Sequence, residues 1–294
     1  MRSSNPMLSD KYFGSAQRGS VDAGFGGGRG GFGDGTGGAG WSAPAGTQTY
    51  DPTATRTGTM TMGGVASATA LMLAFLVLGA IFGWSRVTTE LLGYDVATGK
   101  PVYQDSLPMG WLIGSMAVGF VLAMICSFKP PVARWLSIPY AIAEGVFLGI
   151  LSHAYNSQTD GIVVQAVIAT CGVFLVMLAL YGFRVLRVTP RLAKGIIAAT
   201  FGVLAVYLVS FISSFFTDSG ESFMNSASPL GIGVSVIVVG IAAFNLLLDF
   251  DFIERGVQHG LPKHMEWFGA FGLVVTLVWL YLELLRLLSK LQRD

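Results

Sequence analysis

Acidic side chains inside apolar runs are the residues of this chain most able to do chemistry. Glu144, Asn245, Asp249, Asp251 and Glu283 stand within such runs, and Glu254 and Glu266 stand at run boundaries. An ionisable group surrounded by hydrocarbon is costly, and such groups commonly mark ion or proton paths or pair with one another. Glu144 lies in YAIAEGVFLG with no cation three or four positions away, and Gly145 beside it leaves room for another helix. It is either an acid that hydrogen-bonds two helices together or a site on a proton or cation path. Asp249 and Asp251 lie in FNLLLDFDFIERG. On a helix two positions differ by about 200°, so these two carboxylates face opposite ways. Asp251 shares a face with Arg255, four positions on, which predicts an ion pair. Asp249 shares a face with Asn245 and Phe252 and has no such partner. That makes it the leading functional candidate. Glu283, in WLYLELLRLL, has Arg286 three positions on, with Trp279 and Tyr281 suited to an interfacial anchor.

Other chemistry has little support. His153, His259 and His264 are scattered, and there is no HExxH, GxSxG or Walker loop. Cys126 and Cys171 sit in apolar runs and form no CxxC pair. An intramembrane protease would need a second catalytic Asp opposite Asp249, and none stands out. The expectation is a protein that is not an enzyme and has no resident cofactor.

The elements that must carry these acids follow from composition. Of 294 residues, 52% are hydrophobic and 12% charged, about half the charge of a soluble domain. The net charge of +1 gives no footprint for nucleic acid. From residue 65 onward the apolar runs approach the roughly 20 residues that span a bilayer as a helix. The predicted spans are 65–84, 110–128, 135–155, 162–182, 194–216, 228–253 and 267–288. The runs are continuously apolar, unlike the alternating strands of a barrel. The fold class is therefore an all-α membrane protein with seven transmembrane helices over residues 65–290. Small residues that permit close helix approach recur at Gly114, Ala117 and Gly119, at Gly145 and Gly149, and at Gly231, Gly233, Gly240, Ala242 and Ala243.

Residues 1–64 differ, with GFGGGRGGFGDGTGGAG at 24–40. Glycine loses the most entropy on ordering, and this stretch buries little in return. It reads as a disordered tail. It has neither the apolar run of a secretory signal nor the acid-free composition of a mitochondrial presequence, since Asp10, Asp22, Asp34 and Asp51 interrupt it.

Lys129 and Arg134, then Arg184, Arg187, Arg191 and Lys194, then Arg255 and Lys263 fall in alternate connections. The intervening connections carry Asp160, Asp218 and Glu221. The first one mixes Arg86 and Lys100 with Glu90, Asp95 and Asp105. The positive-inside rule then places the basic connections and the N-terminus in the cytoplasm. Seven crossings leave Arg286, Lys290 and Arg293 on the opposite side. Either the last helix stops short, or the rule is overruled there.

AEGVFLG on span three, LLLDFDFIE on span six and WFGAFGLVVTLVWLYLELLRLL at the end, in this order, resemble the Bax inhibitor-1 (transmembrane BAX inhibitor motif) family, in its bacterial YccA-like branch. The resemblance covers residues 65–290. It implies six helices surrounding a central seventh, a bacterial plasma-membrane location, and a pH-sensitive calcium leak linked to stress survival and membrane-protein quality control. The family's D-x-Q on span six puts its Asp at Asp249, while Asp251 stands where the Gln would be. A second family Asp, in an L-x-L-D run, pairs with the first as an acid sensor. Here Leu280–Glu283 reads LYLE, so Glu283 stands in its place. The family's closed state also implies a cationic partner for the span-six acid, for which Lys129 and Arg134 are the candidates.

The expected function is a cation leak or exchanger, with Ca²⁺ as the permeant ion met by Asp249. Protonation at Asp249 and Glu283 would gate it, and Glu144 would lie deeper in the path. Calcium prefers oxygen ligands. The alternative is a non-transporting regulator in the lipid bilayer that binds a membrane partner such as a quality-control protease, with the tail as the contact. A metabolite transporter would call for repeats and broken helix pairs that are not seen.

Overall fold

The computed structural model describes residues 58–94, 101–213 and 228–292. The disordered reading of the tail up to residue 57 lies outside them, as do Asp95, Lys100, Asp218, Glu221, Arg293 and the end of the fifth predicted span.

Seven helices long and apolar enough to cross a bilayer are present among the described residues. They are α1 (Met62–Trp84), α2 (Met109–Phe128), α3 (Ala133–Asn156), α4 (Ile162–Gly182), α5 (Pro190–Ser213), α6 (Pro229–Gln258) and α7 (Met265–Leu291). Each coincides over its described length with one of the predicted apolar runs, the bounds differing by up to about a turn at most ends, and at α1 and α6 a polar side chain satisfies one of the first N–H groups. Thr61 caps α1 by accepting from the Gly64 N–H at 3.0 Å. Ser228 caps α6, with Pro229 in the first helical position. The outward faces keep large apolar side chains exposed, such as Phe120 (65%) and Phe201 (66%). In water such a surface would aggregate, but in a bilayer it is in its own solvent.

The last helix α7 is the most enclosed of the seven. It packs against α1, α3, α4 and α6, and α5 reaches it through Tyr207. Its buried face, including Ala270, Val274 and Val278, joins Met72, Ala141 and Leu148 in one core. On its other side Leu273, Leu280 and Leu284 meet Leu246 and Phe250. It is long and apolar enough for a full crossing.

The first connection is more than a polar linker. β1 (Thr88–Tyr94) and β2 (Pro101–Ser106) pair antiparallel, with Thr89 opposite Asp105. The Thr89 hydroxyl donates to Asp105 Oδ1 at 2.8 Å. Asp105 Oδ2 lies 3.3 Å from His153 Nδ1 at the end of α3, at ion-pair distance but outside hydrogen-bond alignment. The His153 ring also meets Trp84 of α1, with centroids 4.7 Å apart.

Residues 58–64, which composition assigned to the tail, are bound to the opposite end of the bundle. The Met60 N–H donates to Leu261 O at 2.7 Å and the Lys263 N–H to Gly58 O at 2.9 Å. The Thr61 N–H and hydroxyl both donate to Glu266 Oε1, at 3.0 and 2.9 Å. This partner, 205 positions away, buries a boundary carboxylate that the sequence left unassigned.

Candidate functional site

Helices α6 and α7 form an antiparallel pair. Gly260, at φ +62°, ends α6 in a left-handed turn that glycine adopts without Cβ strain. Leu261 N–H then bonds to Gly256 O at 3.0 Å and Gly260 N–H to Val257 O at 3.1 Å, and Pro262 stops the helix from continuing. The turn sets the register that brings Asp249 of α6 against Gly272 and Thr276 of α7. A Cβ built on Gly272 would lie 3.5 Å from Asp249 Oδ1, in ordinary van der Waals contact, so the carboxylate sits directly against the α7 backbone there. The Thr276 hydroxyl faces it while donating to Gly272 O at 3.2 Å. Asp249 keeps some exposure as a residue, but its Oδ2 is buried and has no hydrogen-bond partner among the described residues. One turn earlier, Asn245 donates to Thr200 Oγ1 of α5 at 2.9 Å and to Ile241 O at 2.8 Å. Asn245 therefore ties helices together and leaves Asp249 alone.

Asp251 points elsewhere, as the helical angle predicts. It pairs with Arg255 at 2.9 Å, and Arg255 is 56% exposed. A pair of this kind contributes little. Nearby, the Tyr181 hydroxyl of α4 donates to Glu254, and Gln258 donates to its other oxygen at 3.0 Å. Asp251, Glu254, Arg184, Arg187 and Arg255 share a cavity of about 260 Å³ at this end of the bundle.

Glu283 forms the ion pair with Arg286 that local spacing suggests, but it is enclosed by the bundle, at 2% exposure. Arg286 Nη1 donates to both its oxygens, at 3.2 and 3.1 Å, and to the Tyr207 hydroxyl at 2.6 Å. Tyr207 in turn donates to Glu283, as does Trp279 Nε1 at 3.2 Å. One turn further, Lys290 is 4% exposed and donates to Gly231 O at 3.1 Å and Ser235 Oγ at 2.8 Å. Arg286 and Lys290, two of the C-terminal cations that strain the positive-inside rule, are therefore held by internal partners. Tyr207, Ser235 and Lys290 were missed because no spacing along one helix identifies them.

Glu144 reaches toward α2. A Cβ on Gly119 would meet its Oε2 at 2.9 Å. Among the described residues Glu144 has no hydrogen bond or ion pair, so of its two readings the helix-bridging acid lacks an acceptor. Lys129 and Arg134 are exposed. Arg134 stacks on Trp135 at 5.8 Å, and neither cation forms an ion pair among the described residues. The latch role expected of them is not made in this state of the molecule.

An apolar cavity of about 570 Å³ lies between α1, α3, α4 and α7, near the Ser152–Tyr281 hydroxyl contact of 2.7 Å. Asp249 and Glu144 line none of the cavities described here. Among the described residues no three His, Cys, Asp or Glu side chains converge as a metal site.

The family model described as Bax inhibitor 1 like matches residues 5–293 of this chain. The chain belongs to the Bax inhibitor 1-like family. The match takes in the glycine-rich stretch that the motif resemblance left out. A protein of Chlamydia muridarum (strain MoPn / Nigg), itself described as uncharacterized, is 25% identical over 202 residues, covering 67% of this chain and 81% of the relative.

For a Bax inhibitor 1-like chain the motif comparison implies two carboxylates sharing a proton, at Asp249 and Glu283. The structure does not bring them together. Asp249 lies against Gly272 and Thr276, and Glu283 is seven positions beyond Thr276 on α7, about 10 Å along its axis. Thr276 takes the place opposite Asp249. Glu283 has its own cation.

Proposed function

We propose that this Bax inhibitor 1-like protein is a pH-sensitive cation leak for calcium, gated by protonation of Asp249 alone and not of a carboxylate pair. The observation that carries this reading is the buried, unpartnered Oδ2 of Asp249 within a seven-helix bundle. A carboxylate oxygen with no partner among the described residues can take a proton or a passing cation in turn. Calcium binds six to eight oxygens. Asp249, the Thr276 hydroxyl and water supply a transient stop for it and no permanent cage. Glu144, also without a partner among the described residues, serves as a second stop. Glu283 is withdrawn from the path, since Arg286 neutralises it. The protein works without catalysis or a resident cofactor, in a bacterial plasma membrane with its N-terminus in the cytoplasm.

Calcium flux into proteoliposomes across roughly pH 5 to 8 tests this reading. The parent flux changes with pH, and Asp249→Asn abolishes the change. An Asp249→Asn protein with parental flux and pH profile removes Asp249 from the mechanism.

A second reading has one observation in its favour: Asp249 lines none of the three cavities described above. On this reading the bundle is a non-transporting regulator that docks a membrane partner such as a protease through residues 1–57. Deleting those residues, and no more, spares the Thr61–Glu266 tie. Loss of partner capture with flux retained would divide the two roles between tail and bundle.

A further inference from the structure

We infer that the bundle holds the phosphate group of an anionic phospholipid at the end of α3 and α7 that carries the β-hairpin. A cavity of about 250 Å³ opens there, lined by Tyr155 of α3, by Gln158 just after it, and by Arg286, Ser289 and Lys290 of α7. Among the described residues its charge is unbalanced. Glu283 supplies one negative charge against the positive charges of Arg286 and Lys290, and among the described residues Glu283 is the one carboxylate in ion-pair contact with either. Lys290 is 4% exposed, and its two acceptors, Gly231 O and Ser235 Oγ, are neutral. A buried cation without a counter-ion is costly, so the site favours an arriving anion.

The donors suit a phosphate. Every hydrogen bond that Arg286 makes among the described residues leaves from Nη1. Its Nε and Nη2 make no hydrogen bond among the described residues, and that edge of the guanidinium is shaped for two oxygens of one phosphate. Lys290 uses two of its three ammonium protons, and the Ser289 hydroxyl also lines the cavity.

Depth identifies the source of the phosphate. α3 ends at Asn156 and α7 at Leu291, so Arg286 and Lys290 lie within about two turns of where the helices leave the hydrocarbon. That is headgroup level, where basic pockets between transmembrane helices take lipid phosphates. Leu151 and Tyr155 give the cavity a wall against which a glycerol backbone and the top of an acyl chain can lie. The inference does not depend on cation conduction, and a non-transporting bundle would hold the same lipid.

The test is native mass spectrometry of the full chain released from nanodiscs containing equal phosphatidylglycerol and phosphatidylcholine. The parent retains phosphatidylglycerol in preference. Lys290→Met, which keeps the buried stem, lowers that preference about fivefold, the effect of one basic residue at a lipid surface. Glu283→Gln/Arg286→Gln removes both members of the ion pair, so neither is stranded, and lowers the preference as far, which guards against a variant that merely misfolds. Equal retention of the two lipids by the parent overturns the inference, as does an unchanged preference in both variants. Inorganic phosphate is the remaining arm. If it raises the unfolding temperature in detergent while no lipid is retained, the site takes a free anion and the lipid assignment fails.

Discussion

The Arg286 guanidinium lies 3.1 Å from the Glu283 carboxylate on the same helix, and the carboxylate is almost wholly enclosed while the arginine keeps 30% exposure. Tyr207 of α5 joins both groups, so the pair holds an outer helix to the central one. Removing one member of a buried pair strands the other charge, at about 3–5 kcal/mol when burial is complete. Exposure of Arg286 to solvent places Arg286→Ala at or below the lower end of that range. Glu283→Gln/Arg286→Gln recovers most of the loss, since neither remaining group is charged. Thermal unfolding in detergent checks this. If the single and double variants lose stability equally, the pair is not the source of the effect.

Close approach of α1 and α3 rests on four glycines. A Cβ on Gly145 would lie 2.2 Å from Leu76 O, one on Gly149 2.1 Å from Ala80 O, one on Gly79 2.5 Å from Ile142 O and one on Gly83 2.2 Å from Val146 O. These obstacles are backbone atoms, which cannot swing aside. Gly145→Ala therefore forces the helices apart and costs about 1–3 kcal/mol or more. Gly240→Ala, where a Cβ meets nothing within 4 Å, leaves stability unchanged or raises it through helix propensity. Opposite shifts in unfolding temperature are the expected readout, and equal shifts would rule out a close-packed α1–α3 seam.

The hairpin should loosen in acid. The Thr89 hydroxyl does most to hold the Asp105 carboxyl below its usual range; burial opposes it, and Ser157 and the charge of His153 lower it further. A carboxylate whose folded-state value is depressed contributes stability above its unfolded value, near 3.9. That contribution is lost as pH falls through the lower folded value. Hydrogen exchange in β1 and β2, corrected for intrinsic rates, is therefore steady above about pH 4 and rises below it. Asp105→Asn removes the rise and exchanges faster throughout. A hairpin that loosens in parallel in parent and variant would exclude Asp105 as the titrating group.

Much of the architecture was legible along the chain. Apolar runs of bilayer length gave the seven spans, because in lipid a helix must satisfy its own backbone and its outward face must be apolar. The Asp251–Arg255 pair was legible too, since four positions along one helix put two side chains on one face. The hairpin was not. TTELLGY and PVYQDS are short, and the pairing that makes them strands depends on register between them.

What the sequence by itself determined is whatever a single helix encodes: its length, its polar interruptions and the direction each side chain takes around its axis. The tertiary structure decided which helices meet and at what height. It chose Gly145 and Gly149 for the seam with α1 and left Gly114, Gly233 and Gly240 with open space. It gave Glu283 to Tyr207 and Arg286, gave Lys290 to Ser235, and set Asp249 opposite Thr276 instead of a second acid. The physical reason is that height and rotation between neighbouring helices come from close packing across the whole interface. A shift of one turn there exchanges every partner without altering a residue.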